Sequence, residues 1–305
     1  MNKKSLYLLG ILITIILGCF LYYYLCCIPC AEKKAAENIV EVKDEVKLPE
    51  TTYYPFEIQD NSSGLQFTDK DNFRFLRSDY KIIDSVSNGL NKQLERLTEY
   101  LNNNPNKNIG IIGLYRSNED NHSIFPNLGV ARAHSVKNYF TSHGISAKSL
   151  STSGILDDAV ISDDSKVLYG PLRFKVNKID LGQLGDGQIL RDSLNAHPLV
   201  LHFNTGAKSL NFNDTQRQKI LDLLNYVERY DAKLHATGHT DNKGDRANNI
   251  KLALERAEFV KQNLMSNGIN GNYIETDSKG PDLPIADNET EKGRVENRRV
   301  EVNIN

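Results

Sequence analysis

The chain has 305 residues, 39% of them hydrophobic and 25% charged, with a formal net charge of −2; this is long enough for two domains and compatible with soluble and envelope proteins alike. No basic stripe is present to neutralise phosphates, which argues against a nucleic-acid partner. The four cysteines, Cys19, Cys26, Cys27 and Cys30, all fall in or beside one N-terminal apolar segment, so the remainder has neither a disulfide nor a thiolate metal site.

That segment runs from Leu6 to Ile28 without a charged residue, enough helix at about 1.5 Å per residue to cross a hydrocarbon core of about 30 Å. The reading is a cytoplasmic tail over residues 1–5, marked by Lys3 and Lys4, and a transmembrane anchor over 6–29, with everything after Pro29 across the membrane. Two rivals exist. A cleaved signal peptide has a shorter apolar region ending in small residues, whereas this one ends in Cys and Pro. Ile16-Leu17-Gly18-Cys19 looks like a lipobox, which would make Cys19 an acylated outer-membrane anchor, but the chain stays apolar from Phe20 to Ile28 where lipoproteins turn polar. A retained inner-membrane helix is the expectation.

Residues 30–64 read as a linker, since from Ala31 to about Glu50 the composition turns to Lys, Glu, Ala and Val with both signs of charge. A first domain is expected over 65–178. Shifting the chain by 124 positions lays Ala131–Ile145 over Glu255–Ile269 with seven of fifteen residues identical, where chance gives about one. In this copy Leu90, Leu94, Leu97 and Leu101 mark a helix, Ile109–Leu114 a strand and Leu172–Val176 a closing strand. Residues 179–197, with Gly182, Gly185 and Gly187, read as a flexible hinge.

The second copy spans 198–305. Leu199–Asn204 is its first strand; Asn213 or Asp214 caps a helix carrying Ile220, Leu224 and Val227; Lys233–Thr237 is the next strand. Ile250, Ala253, Leu254, Ala257, Val260 and Leu264 give the second helix an apolar stripe that stops at Gly268, with Arg256, Asn249 and Leu252 off the stripe. Tyr273–Ser278 and Asn297–Ile304 supply the last strands, either side of a polar loop. Strand, helix, strand, helix, strand in each copy makes an α/β sandwich, a sheet with helices on one face.

Three ordered motifs concentrate chemistry in this copy: Thr237-Gly238-His239-Thr240-Asp241; Asn249, Leu252 and Arg256-Ala257; and Gly293-Arg294-Val295-Glu296-Asn297-Arg298-Arg299-Val300-Glu301. An Asp and an Arg facing one cleft are the equipment for a zwitterion, an acceptor for its ammonium and a planar two-pronged donor for its carboxylate; the bland alternative is that they bridge each other at the surface. The motifs resemble the OmpA-like C-terminal domain shared by OmpA, Pal and MotB proteins, over roughly 198–305, departing at Ala253, where Ser is common, and at Asn248, where an aromatic is common. The resemblance implies two tandem OmpA-like βαβαβ domains behind the anchor, in a bacterial envelope with the C-terminal part in the periplasm. It implies non-covalent binding of the diaminopimelate of the peptidoglycan stem peptide, with Asp241 taking the ammonium, Arg256 the carboxylate, Asn249 and Thr240 lining or supporting the site and Arg299 close by. In the first copy Arg132 matches Arg256, but Asp241 falls on Ser117 and Asn249 on Phe125, so it reads as a degenerate spacer or docking domain unless Glu119 or Asp120 replaces the lost acid.

No cofactor or metal is expected: His235 and His239 lack a third ligand, and Asp157-Asp158 with Asp163-Asp164 do not fit a calcium loop. No nucleophile has an adjacent base and no His-Glu-x-x-His occurs, so a wall hydrolase is disfavoured and an enzyme is not expected. A passive anchor is the leading reading. The alternative is an accessory subunit of an envelope-spanning motor or secretion complex, which allows homo-oligomers or complex partners; a proton-conducting stator needs an acid in the span, and none lies between Leu6 and Ile28.

Overall fold

A computed structural model describes residues 3–27, 50–179, 187–203 and 211–305, with side chains in the first stretch from Gly10 to Leu25. The chain divides into two units, Met1–Pro49 and Glu50–Asn305. In the first, helix α1 (Lys3–Tyr22) ends in a π-helical turn, Tyr23–Cys27. Its side chains from Ile11 to Leu25 are exposed, as is the free thiol of Cys19. Among the described residues no helix is long and apolar enough to cross a membrane. Cys30 and most of the expected linker lie outside the described residues.

The second unit starts earlier than its composition suggests. Inside the expected linker, strand β1 (Phe56–Asp60) alternates buried Phe56 and Ile58 with exposed Glu57 and Gln59, and pairs antiparallel with β2 (Leu65–Asp69). That alternation of period two is a half-buried strand. Asp60 fixes the hairpin by accepting from Tyr100 at 2.6 Å, from the Ser62 and Ser63 hydroxyls at 2.7 Å each, and from Lys107 at 3.1 Å. Strands β3 (Arg74–Leu76), β4 (Ile82–Ile83) and β7 (Val167–Tyr169) form a small sheet. Helix α2 (Asn88–Asn103), capped by Ser87, buries the four expected leucines. Strand β5 (Lys107–Tyr115) then pairs parallel with β6 (Leu150–Leu156) and antiparallel with β8 (Leu172–Lys178).

Helix α3 (Leu128–Ser142) is buried nearly all round because it has two partners. Ala133, Val136 and Phe140 join the core of β1, β5 and α2, whereas Val130 and Ala131 join the core of the C-terminal half. Polar contacts seal the same junction: Lys137 pairs with Glu228 at 2.6 Å, Asn138 donates to the Gly268 carbonyl at 2.7 Å, and the Tyr80 hydroxyl donates to Asn267 at 2.9 Å.

The stretch read as a hinge contributes helix α4 (Gly187–Ala196). Asn195 bonds both backbone groups of Ile304 at 2.8 Å, tying α4 to the last strand; Gly182 and Gly185 lie outside the described residues. Strand β9 (Leu199–His202) leads to α5 (Asp214–Tyr230), where Asn213 and Gln216 close a capping box. Strand β10 (Leu234–His239) pairs parallel with β11 (Ile274–Gly280) and antiparallel with β12 (Arg299–Ile304), which pairs antiparallel with β9. Helix α6 (Arg246–Ser266) begins at the Asp245 cap, and a short helix, α7 (Glu291–Asn297), stands where the sequence reads as a polar loop. The order β11-β10-β12-β9 repeats, in its first three members, the pattern β6-β5-β8 of the N-terminal half. Both α5 and α6 contribute to one core with Leu234, Ala236, Val300 and Val302.

The stripe of α6 differs from expectation. Leu254 is 41% exposed, while Asn249, Ala253, Arg256, Ala257, Val260 and Leu264 are buried. The buried face therefore includes Arg256 and Asn249, and the helix presses them against the end of the sheet.

Candidate functional site

Strand β10 ends at His239 and hands the chain to Thr240 and Asp241, directly opposite α6. The approach is close because Gly238 has no side chain: a Cβ there would lie 1.9 Å from the Ala253 carbonyl oxygen. Thr240 is buried, its backbone N–H donates to the Gly280 carbonyl at 2.9 Å, and its hydroxyl has no protein partner. The loop after Asp241 is held by Asn249, whose amide donates to the Lys243 carbonyl at 2.9 Å. Thr240 and Asn249 thus shape the turn that presents Asp241.

Asp241 and Arg256 do not bridge each other. Arg298 donates from Nη1 to Asp241 Oδ2 at 2.8 Å and from Nη2 to Glu291 at 3.1 Å, while Asp241 Oδ1 accepts from the Lys243 backbone at 3.2 Å. Arg256 is 8% exposed, its Nη1 has no hydrogen-bond partner, and its Cζ sits 5.4 Å from the centre of the Phe203 ring. Burial and the adjacent Arg298 guanidinium both work against the Arg256 charge, and Asp241 works for it. A buried guanidinium nitrogen without an acceptor leaves its desolvation uncompensated. The site combines a carboxylate already oriented by one arginine with a second arginine whose donor capacity is not used up by the protein.

Arg299 has a different place. Its Nε donates to Glu301 at 2.6 Å and its Nη2 to the Leu283 carbonyl at 3.3 Å, with 2% exposure. Neighbouring residues at the start of a strand project to opposite sides, so Arg298 reaches Asp241 and Arg299 turns away. The residue missed by sequence reasoning is Arg298, and the signal lay in the paired arginines: only one can face the site, and the start of β12 decides which. Arg299 acts on His239 instead. Burial, reinforced by Arg299, pushes the His239 imidazole down to about 4.

The rest of the third motif shapes the far wall. Asn297 is fully buried and its side chain bonds the backbone of Ile285 and Ala286, and Asn288, at 2.8–3.1 Å. Asn288 Oδ1 in turn accepts from the Asn242 backbone beside Asp241, at 3.3 Å. Among the described residues, no group of three or more His, Cys, Asp or Glu side chains is placed to hold a metal.

In the first half, Ser117 donates through its backbone and hydroxyl to Asp158, at 2.8 and 2.9 Å. The Gly113 and Gly238 positions, each against a helix carbonyl, differ by 125 rather than 124. On that structural frame Asp241 corresponds to Arg116 and not to Ser117; neither is an acid.

The model of the OmpA family matches residues 202–298. The chain is similar to outer membrane protein A of Bordetella avium, 51% identical over 69 residues, which are 23% of this chain and 36% of that protein. It is similar to the peptidoglycan-binding protein ArfA of Mycobacterium tuberculosis, 43% identical over 75 residues, 25% of this chain and 23% of that protein. Outer membrane protein Omp38 of Acinetobacter baumannii is 36% identical over 115 residues, 37% of this chain and 32% of that protein. The chain thus spans between 23% and 36% of the length of these relatives. Among solved structures, the peptidoglycan-associated lipoprotein from Burkholderia pseudomallei is 23% identical, covering 39% of this chain and 100% of that one, with a TM-score of 0.34. With its motifs in order over the matched span, residues 202–298 are an OmpA-family domain.

Proposed function

We propose that this protein is a non-enzymatic envelope protein whose C-terminal half, residues 198–305, binds peptidoglycan non-covalently through the diaminopimelate of the stem peptide. Asp241 accepts from the ligand's ammonium and Arg256 pairs with its carboxylate. The observation that carries this reading is the buried Arg256 with an unpartnered Nη1, beside an acid held by Arg298. A carboxylate is the acceptor that a planar guanidinium matches best. The relative ArfA is itself named a peptidoglycan-binding protein.

The apolar stretch from Leu6 to Ile28 serves in this reading as the membrane anchor, with the folded unit in the periplasm. The first half is a second copy of the same fold: its strands β6-β5-β8 follow the pairing of β11-β10-β12, and it supports the binding half through α3. The test is co-sedimentation of the 305-residue chain, in detergent, with purified sacculi. Walls containing meso-diaminopimelate should retain it, and walls with Lys in that position, which lack the extra carboxylate, should not. Equal retention on both would remove the proposed chemistry.

A further inference from the structure

Two arginines occupy matching places in the two halves. Gly113 of β5 lies against the Gly129 carbonyl of α3, where a Cβ would be 1.9 Å away, as Gly238 lies against Ala253. Three residues beyond each carbonyl stand Arg132 and Arg256. Each guanidinium lies over a phenylalanine, Arg132 at 5.8 Å from the Phe75 ring centre and Arg256 at 5.4 Å from that of Phe203.

They differ in what satisfies them. Arg256 Nη1 has no partner. Arg132 is saturated: Nε donates to the Asp79 carbonyl at 3.0 Å, Nη1 to the Leu114 carbonyl at 2.8 Å and to Glu119 Oε2 at 3.1 Å, and Nη2 to Glu119 Oε1. The Glu119 carboxylate also accepts from the backbone N–H groups of Ser78 at 2.9 Å and Arg116 at 2.8 Å. Both side chains of the pair are 0% exposed. Although burial works to raise it, the Glu119 carboxyl stays below its usual value because Arg132 and these two N–H groups hold its charged form.

We propose that the Arg132 slot is a carboxylate-binding site that the chain fills with its own Glu119, a built-in ligand in the place where the C-terminal half takes one from outside. The ligand class is a carboxylate met two-pronged by the guanidinium and capped by two backbone N–H groups. The Arg132 slot is thereby closed to external acids. The comparison with Arg256 rests on the wall-binding reading; the occupancy of the Arg132 slot does not, and the test reads that slot alone.

The experiment compares Glu119→Ala and Glu119→Ala/Arg132→Met in the whole chain, by melting temperature in sodium formate or acetate against sodium chloride at equal ionic strength. Stranding a buried arginine should lower the melting temperature of Glu119→Ala by about 6–20 °C in chloride. Formate or acetate should restore a saturable part of that loss, as a ligand bound only by the folded state does. The double variant, with no cation to satisfy, should melt above Glu119→Ala in chloride and show no response to carboxylate; the wild type should show none either. If Glu119→Ala melts identically in both salts, or folds in neither, Glu119 is a structural ion-pair partner and not an occupant of a ligand slot. An equal gain in all three proteins would also overturn the proposal, as general salt stabilisation.

Discussion

Arg298 donates to Asp241 at 2.8 Å, so the acid at the mouth of the site is held in place by the residue that joins α7 to the neighbouring strand β12 before any ligand reaches it. Preorganisation of this kind reduces the ordering cost of binding. Replacing Arg298 by Ala should therefore weaken retention on diaminopimelate-containing walls by roughly tenfold or more, the value of a charge-assisted bond. Arg298→Lys should recover only part, because one ammonium cannot reach Asp241 and Glu291 as the forked guanidinium does. Titration of both variants with a soluble stem peptide checks this; unchanged affinity in Arg298→Ala would leave Asp241 independent of its partner.

Arg256 should show a trade between stability and binding. Replacing it by Met removes a buried donor without a partner and keeps the packing over Phe203. The expected outcome is a melting temperature equal to or about 2–4 °C above wild type, with wall binding lost by roughly ten- to 150-fold. Asp241→Ala should lose binding to a similar degree. The double variant should lose less than the sum, because in the proposed site the two groups clamp one small ligand. A melting temperature of Arg256→Met far below wild type would show that the arginine is a structural member.

The two halves should unfold together. Lys137 and Glu228 form a buried ion pair at 2.6 Å across their junction, and α3 contributes apolar side chains to both cores. Glu228→Ala should cost about 3–5 kcal/mol by leaving the buried Lys137 ammonium only the Leu150 carbonyl as a partner, and Lys137→Met/Glu228→Leu should regain most of it. Calorimetry should give one transition for residues 50–305 in the wild type. Two separated transitions would mean that the junction is only a contact between independent domains.

Much of this arrangement was legible in the sequence. The leucines of α2, the Asn213 cap of α5 and the strand preceding Asp241 follow from periodicity and capping chemistry alone. The misread parts share one cause: their environment comes from elsewhere in the chain. Arg256 sits off the apolar stripe when α6 is read alone, and becomes buried because Phe203 and the end of the sheet cover it. Helix α7 has no apolar stripe at all; its place is fixed by Gly293, where a Cβ would lie 1.9 Å from the Asp287 carbonyl, and by Asn297. The β1 strand was hidden by a boundary drawn on composition, although Phe56-Glu57-Ile58-Gln59 alternates correctly.

Stability should fall with acid through two buried histidines. Burial, with the Lys137 charge nearby, pushes His134 down to about 3, and burial with Arg299 pushes His239 down to about 4. In the unfolded chain each titrates near about 6.5. Between about 6.5 and those folded values the unfolded state binds more protons, so stability is complete above about 6.5 and is lost as pH falls, by up to about 1.4 kcal/mol per pH unit for each group. Below about 4 the depressed carboxyl of Asp60 adds to the loss, since its charged form accepts from Tyr100, Ser62 and Ser63. Urea midpoints taken from about pH 7 down to about pH 4.5 should decline steadily, and His134→Asn should flatten the slope. A midpoint independent of pH over that range would contradict the burial of both rings.

The most direct measurement is a calorimetric titration of the chain with two soluble stem peptides that differ only in meso-diaminopimelate against Lys, repeated with Asp241→Ala/Arg256→Ala. Arg256 as the receptor of the extra carboxylate predicts at least roughly tenfold tighter binding of the diaminopimelate peptide by the wild type, with that preference abolished in the double variant. Equal affinity for the two peptides, or a preference that survives the loss of both charges in a folded protein, would contradict it.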